Sequence, residues 1–101
     1  PRPTGGSSVT GGELLFLALA TCFCNDIYRE GAKRGITVNS VEVEVDGDFE
    51  AERQPGSNIV YRVKVDADAD EGKLRKLIRY VDSIAEIQNT LRVGTPVTLQ
   101  I

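Results

Sequence analysis

GELLFLALATCFCNDI, residues 12 to 27, decides how the rest of the chain is read. Leu14 to Cys24 is its longest mainly apolar run, 11 residues interrupted only by Thr21. A membrane-spanning helix needs about 18 or more apolar residues, so this one belongs in a soluble core and no membrane partner is expected. Thr10 followed three residues later by Glu13 is a capping box, which starts a helix at Thr10. The helix runs from about Glu13 to Glu30. Gly31 or Gly35 ends it, with Lys33 and Arg34 near the negative end of its dipole. Its first half is apolar nearly all round, which predicts burial on several sides and a place at the centre of an assembly.

Outward from this helix the period changes. Upstream, PRPTGGSSVTGG is rich in glycine and proline and reads as an irregular approach segment. Downstream, Val41, Val43 and Val45 alternate with Glu42, Glu44 and Asp46 in a half-buried strand spanning 36 to 48. A polar loop, 50 to 58, leads to a second strand in which Ile59, Tyr61, Val63 and Val65 alternate with Val60, Arg62, Lys64 and Asp66. One outward face is acidic and the other basic, as antiparallel pairing of the two favours. From Asp68 to Glu86 the period is helical again, with Leu74, Leu77, Ile78, Val81, Ile84 and Ala85 on one face and Lys73, Arg75, Lys76 and Arg79 on the other. Gln88 to Thr95 is a short helix or turn, and Val97, Leu99 and Ile101 alternate as a final strand. The order predicts an α+β fold: a mainly antiparallel sheet, a long central helix and a second, amphipathic helix.

A chain of 101 residues suits one domain. Twelve basic against fifteen acidic residues leave a net charge of -3, which argues against a nucleic-acid partner. The segment ahead of the apolar run is uncharged, and Asn25, Asp26 and Arg29 follow it, unlike a secretory leader. Cys22 and Cys24 would point about 200° apart on a helix, which disfavours a disulfide between them. Two free thiols fit a reducing compartment, and the cytoplasm is expected.

The chain has no histidine, which removes histidine triads, histidine-ligated zinc and histidine bases. The glycines of GGSSVTGG lack the preceding strand and following lysine of a phosphate loop. Two cysteines in C-x-C spacing are too few for a closed metal site, so neither metal nor cofactor is expected. Thiol chemistry remains, with Cys22 as the candidate, set against a structural reading in which Cys22 is a small buried core residue. Cys24 reads as core filling.

The segment 12 to 27 resembles the central helix of the OsmC/Ohr family, whose motif runs P-x-E-L-L-x-A-A-L-A-A-C. The match covers Glu13, Leu14, Leu15, Ala18, Leu19, Ala20 and Cys22. Asn89-Thr90-Leu91 is similar to the end of the family's second motif, C-P-x-x-N-T-L, and the likeness covers the chain from Gly5 onward as a single domain, 1 to 101, without the family's N-terminal strands. The resemblance implies an intertwined homodimer with two long helices at its centre. It implies reduction of organic hydroperoxides, with Cys22 in the place of the peroxidatic cysteine.

Three family features fall on other residues here. The second cysteine's position is Ala85. The catalytic glutamate, ten residues before the first cysteine, is Gly12, with Glu13 one residue on and about 100° round the helix. Glu13 is therefore a second candidate, for which helix capping is the better account. The family's catalytic arginine comes from an N-terminal strand, and Arg2 is the only arginine ahead of the helix. Only a thiolate attacks peroxide, so the chemistry turns on which charged groups lie near the sulfur. Three readings follow: a thiol peroxidase using Cys22 and an external dithiol reductant, a noncatalytic dimer binding an apolar small molecule, or a structural dimer with core cysteines.

Overall fold

Thr10 and Glu13 form the capping box that their spacing predicts. The Glu13 amide donates to Thr10 Oγ1 and the Thr10 amide to Glu13 Oε1, each at 3.0 Å. From this start helix α1 runs over Gly11–Lys33 in the computed structural model, which describes residues 2–101. Strands β1 (Val38–Asp48) and β2 (Ser57–Ala67) follow, then helices α2 (Glu71–Ile84) and α3 (Glu86–Arg92). The fold is α+β, as the alternation of periods predicts.

The two glycines at the end of α1 do different work. Gly31 lies inside the helix, where a β-carbon would meet Val38 Cγ2 at 3.0 Å and the Ile36 carbonyl at 3.3 Å. The turn itself is made at Gly35, whose φ of 68° suits a residue without a β-carbon.

Strands β1 and β2 pair antiparallel with Val41 opposite Val65, Val43 opposite Val63 and Val45 opposite Tyr61. On the other face Glu42 meets Lys64 and Glu44 meets Arg62. The charges thus select the register, although each exposed pair contributes only about 0–1 kcal/mol. The apolar face packs on α1 and α2, where Phe23, Ile27, Leu77 and Val81 are fully buried. Burial of each such side chain contributes about 1.5–3 kcal/mol. The i, i+4 spacing of Phe23 with Ile27 and of Leu77 with Val81 puts each pair on one helix face.

In the single chain the apolar first half of α1 is the less covered half: Leu14 and Leu17 are 55% and 61% exposed. A two-stranded hairpin and one amphipathic helix can cover only one side of the helix, and they cover the part from Leu19 onward. The short helix expected after the amphipathic one is α3, and Ala85, with extended backbone angles, separates it from α2. One expectation is corrected: the segment 97 to 101 is not a strand, and Val97 and Leu99 stand 98% and 81% exposed. Alternation alone does not make a strand: a neighbouring edge must accept the ladder, and among the described residues β1 and β2 pair only with each other.

Asn89 explains why the short helix sits where it does. Its Nδ2 donates to the Ser83 carbonyl at 2.9 Å, and its Oδ1 accepts from Arg92 Nη1 at 3.0 Å. The side chain thereby ties the last turn of α2 to α3.

Candidate functional site

Cys22 follows from the way α1 presents its faces. Leu19, Phe23 and Ile27 point into the core, so Ala18, Cys22, Asp26 and Arg29 form the adjoining stripe. Together with Thr21, Asn25 and two residues from the start of α3, Glu86 and Ile87, they line an open groove of about 380 Å³. Cys22 is partly exposed there and is a free thiol.

The polar neighbour of the sulfur is a carboxylate. Cys22 Sγ donates to Asp26 Oδ2 at 3.9 Å, one helical turn away. Asp26 is only 7% exposed, and its other oxygen pairs with Arg29 Nη2 at 2.9 Å. Arg29 Nε in turn donates to Glu30 Oε2 at 2.9 Å, which also accepts from Lys33 Nζ at 3.1 Å. The hydrogen bonds from Arg29 and Lys33 hold the Glu30 carboxyl below its ordinary range. The hydrogen bond to Glu30 and the charge of Asp26 raise the Arg29 guanidinium above its own. A line of groups therefore runs along one helix face: thiol, carboxylate, guanidinium, carboxylate, ammonium. It offers the thiol proton an acceptor that is itself fixed by a cation.

Asp26 and Arg29 are functional candidates that the motif comparison passed over. Their spacing from Cys22, four and seven residues, was the available signal, since both positions share its face.

The other sequence candidates lie elsewhere. Glu13 is nine residues from Cys22, about 13 Å along the helix axis, and its carboxylate is used in the cap. The hydrogen bonds with Thr10 hold it below the usual carboxylate range. Arg2 donates to the Ser7 carbonyl at 2.7 Å within the N-terminal turn. Gly12 is packed under Phe49, whose Cε2 would stand 2.8 Å from a β-carbon added there. Ala85 is fully buried, immediately before the two α3 residues that line the Cys22 groove. Cys24 is half-buried and free. Among the described residues no group of three or more histidine, cysteine, aspartate or glutamate side chains could hold a metal ion. Among the described residues no helix is long and apolar enough to cross a membrane.

Comparison with known proteins gives one family. The family model described as OsmC-like protein matches residues 4–100. The fold is similar to the crystal structure of an OsmC-like protein from Mycoplasma pneumoniae, with a TM-score of 0.72 at 20% identity. That match covers 91% of this chain and 67% of the other. It is also similar to an OsmC-like protein of unknown function from Vibrio cholerae O1 biovar eltor, with a TM-score of 0.65 at 20% identity. This second match covers 81% of this chain and 58% of the other, so the likeness spans less than two thirds of the Vibrio protein. No curated protein matches.

Proposed function

The chain belongs to the OsmC-like protein family, and from that premise we propose that it is a homodimeric thiol peroxidase that reduces organic hydroperoxides through Cys22. The observation behind this reading is the half-buried Cys22 lining an open groove, its sulfur 3.9 Å from a carboxylate that Arg29 holds in place. Asp26 takes the thiol proton as the sulfur attacks the terminal peroxide oxygen. The O–O bond breaks, the sulfur is oxidised to the sulfenic acid, and the leaving alkoxide takes up a proton and departs as the alcohol. The chain has no second cysteine at position 85, so the return step falls to an external dithiol. One of its thiols displaces water from the sulfenic acid, and its other thiol then releases Cys22 and closes a disulfide in the reductant.

The dimer is supported by the uncovered side of α1. Leu14, Leu17, Thr21, Cys24 and Tyr28 follow one another at spacings of three and four, the seam of a helix that packs on another helix. Leu14, Leu17 and Tyr28 are 55%, 61% and 46% exposed in the single chain. A second copy is the occupant that the family resemblance implies. Two free thiols suit a reducing compartment, and the cytoplasm is the location proposed.

The test is turnover of an alkyl hydroperoxide with dithiothreitol as reductant, for the parent chain, Cys22→Ser and Asp26→Asn. The expected outcome is loss of activity in Cys22→Ser. Asp26→Asn should slow the oxidation step by about 10²-fold or more, the usual scale for removal of a general base. Equal activity of Cys22→Ser and the parent sinks the reading.

A second reading is a noncatalytic dimer that binds an apolar small molecule. It is favoured by Gly12 and Ala85: the positions of the family's glutamate and second cysteine carry no functional group here, and one is filled by packing against Phe49.

A further inference from the structure

The groove that holds Cys22 is unbalanced in charge. Two carboxylates, Asp26 and Glu86, line it together with one guanidinium, Arg29. Asp26 is 7% exposed and stands 3.9 Å from the sulfur, whereas Glu86, the first residue of α3, is exposed. Arg29 is fully engaged: its Nη2 pairs with Asp26 and its Nε with Glu30, each at 2.9 Å. Lys33, the next cation along this face of α1, also pairs with Glu30. Glu86 takes part in no ion pair among the described residues. The groove therefore carries one uncompensated negative charge, and α3 supplies it.

Movement of the thiol proton to Asp26 leaves this balance as it is, because one anion replaces another. An incoming molecule meets the same negative groove whichever group holds the proton. The rest of the lining is uncharged, and Ala18 and Ile87 offer apolar contact to a hydrocarbon chain. A carboxylate on that chain finds no free cation, and Glu86 repels it. Since the groove is open to water, the repulsion is moderate and sensitive to salt.

We propose that Glu86 is a specificity-determining residue of this groove, which admits neutral electrophiles to the Cys22 sulfur and turns away anionic ones. Resting on the peroxidase reading above, the substrate class is then an uncharged alkyl hydroperoxide, selected over a hydroperoxide that carries a free carboxylate.

The experiment compares two alkylating reagents of nearly the same shape, neutral iodoacetamide and anionic iodoacetate, on the full chain at low ionic strength. In each reaction the sulfur bonds to carbon as iodide leaves, and mapping of the α1 peptide separates Cys22 from Cys24. Both reagents consume the same thiolate, so the ratio of their rates reports the charge of the groove and not the amount of thiolate. Relative to 2-mercaptoethanol, a neutral thiol, Cys22 is expected to favour iodoacetamide by a further factor of about two to four. That is the scale of one charge roughly 5–9 Å away in water. The excess is lost in Glu86→Gln, reverses in Glu86→Lys and shrinks in about 0.5 M salt. Glu42→Gln, opposite Lys64 on the outer face of the hairpin, leaves it in place.

A second arm offers one hydroperoxide as the free acid and as its methyl ester, and the ester is expected to oxidise Cys22 faster by a similar factor. If the alkylation preference holds while neither peroxide oxidises Cys22, the peroxidase reading fails and the role of Glu86 stands. A preference for iodoacetamide no greater than that of 2-mercaptoethanol overturns the proposal. So does a preference that survives Glu86→Gln or falls equally in Glu42→Gln, and so do equal oxidation rates with acid and ester. A Cys22 that reacts with neither alkylating reagent, as when a second copy covers the groove, also overturns it.

Discussion

The ring of Phe49 lies over Gly12 so closely that a β-carbon on Gly12 would stand 2.8 Å from its Cε2. The same ring approaches a β-carbon on Gly56 to 2.9 Å and packs on Phe16 with ring centroids 6.0 Å apart. The hairpin loop is thus fastened to the start of α1 through the position that corresponds to the family's catalytic glutamate, ten residues before Cys22. A side chain at 12 and the ring at 49 compete for one space.

Gly12→Glu is therefore expected to destabilise the parent and to be neutral or stabilising when Phe49 is alanine. In the absence of the ring, a helix former replaces glycine and an acidic group enters the first turn of α1. The coupling in a double-mutant cycle should be about 1 kcal/mol, measured by urea unfolding of the four proteins. Additive effects would show that the ring leaves position 12 free.

Stability should fall on both sides of neutral pH for identifiable reasons. Hydrogen bonds from Arg29 and Lys33 hold Glu30 low. Burial pushes Asp82 up, but the hydrogen bonds from Tyr61 and Arg92, with the charge of Arg92, outweigh it and hold Asp82 low. Both folded values lie below the unfolded ones of about 4, so their stabilisation is present above those values and is lost as pH falls through the folded ones. Tyr61 is the reverse case. Burial, then its hydrogen bond to Asp82 and the charge there, push the hydroxyl well above its usual value. Its contribution is full below about pH 10 and is lost as pH rises further. Urea midpoints measured across pH should show an acid limb reduced by Glu30→Gln and an alkaline limb reduced by Tyr61→Phe. A Tyr61→Phe profile parallel to the parent above pH 10 would contradict this assignment.

Ala85→Cys should convert the one-thiol site into a two-thiol site. Ala85 immediately precedes Glu86 and Ile87, which line the Cys22 groove. Because Ala85 is fully buried, the larger side chain is expected to cost about 1–3 kcal/mol. After one equivalent of hydroperoxide, peptide mapping should find a disulfide between positions 22 and 85, with Cys24 still reduced. Oxidation confined to Cys22 would mean that position 85 cannot reach the sulfur.

Leu17→Glu should dissociate the proposed dimer without unfolding the chain. The side chain is 61% exposed in the single chain, so the charge changes the stability of the isolated fold by only about 0.5 kcal/mol or less. Sedimentation should give the parent at twice the 11.0 kDa chain mass and the variant at the single-chain mass. A parent that sediments as a monomer, or a variant that remains dimeric, rejects the α1 seam as the interface.

Much of this fold was legible in local pattern. The Thr10–Glu13 box set the start of α1, and the alternation of valines with charges gave both strands and their pairing, because these are contacts between near neighbours or facing residues. The tail was misread because Val97, Leu99 and Ile101 alternate like a strand, and alternation says nothing about whether an edge is available. The apolar first half of α1 reports that it needs cover and not which chain supplies it, and the single chain leaves that half exposed. At the site, Cys22 was readable from the motif and Asp26 from its spacing. The closing of position 12 was not, because Phe49 sits beside a polar loop where no periodicity marks it. Nor was the hydrogen bond from Gln88 to the Leu19 carbonyl, 69 residues away in sequence.

The central claim is that the Cys22 sulfur is oxidised by an organic hydroperoxide in the groove it shares with Asp26 and Arg29. The most direct measurement is a single-turnover reaction with an alkyl hydroperoxide, quenched and read by mass spectrometry of the α1 peptide. One oxygen on Cys22 and one alcohol per chain are expected, with Cys24 unmodified and the oxygen removed by a dithiol. A Cys22 thiol that remains reduced while the hydroperoxide persists would contradict it.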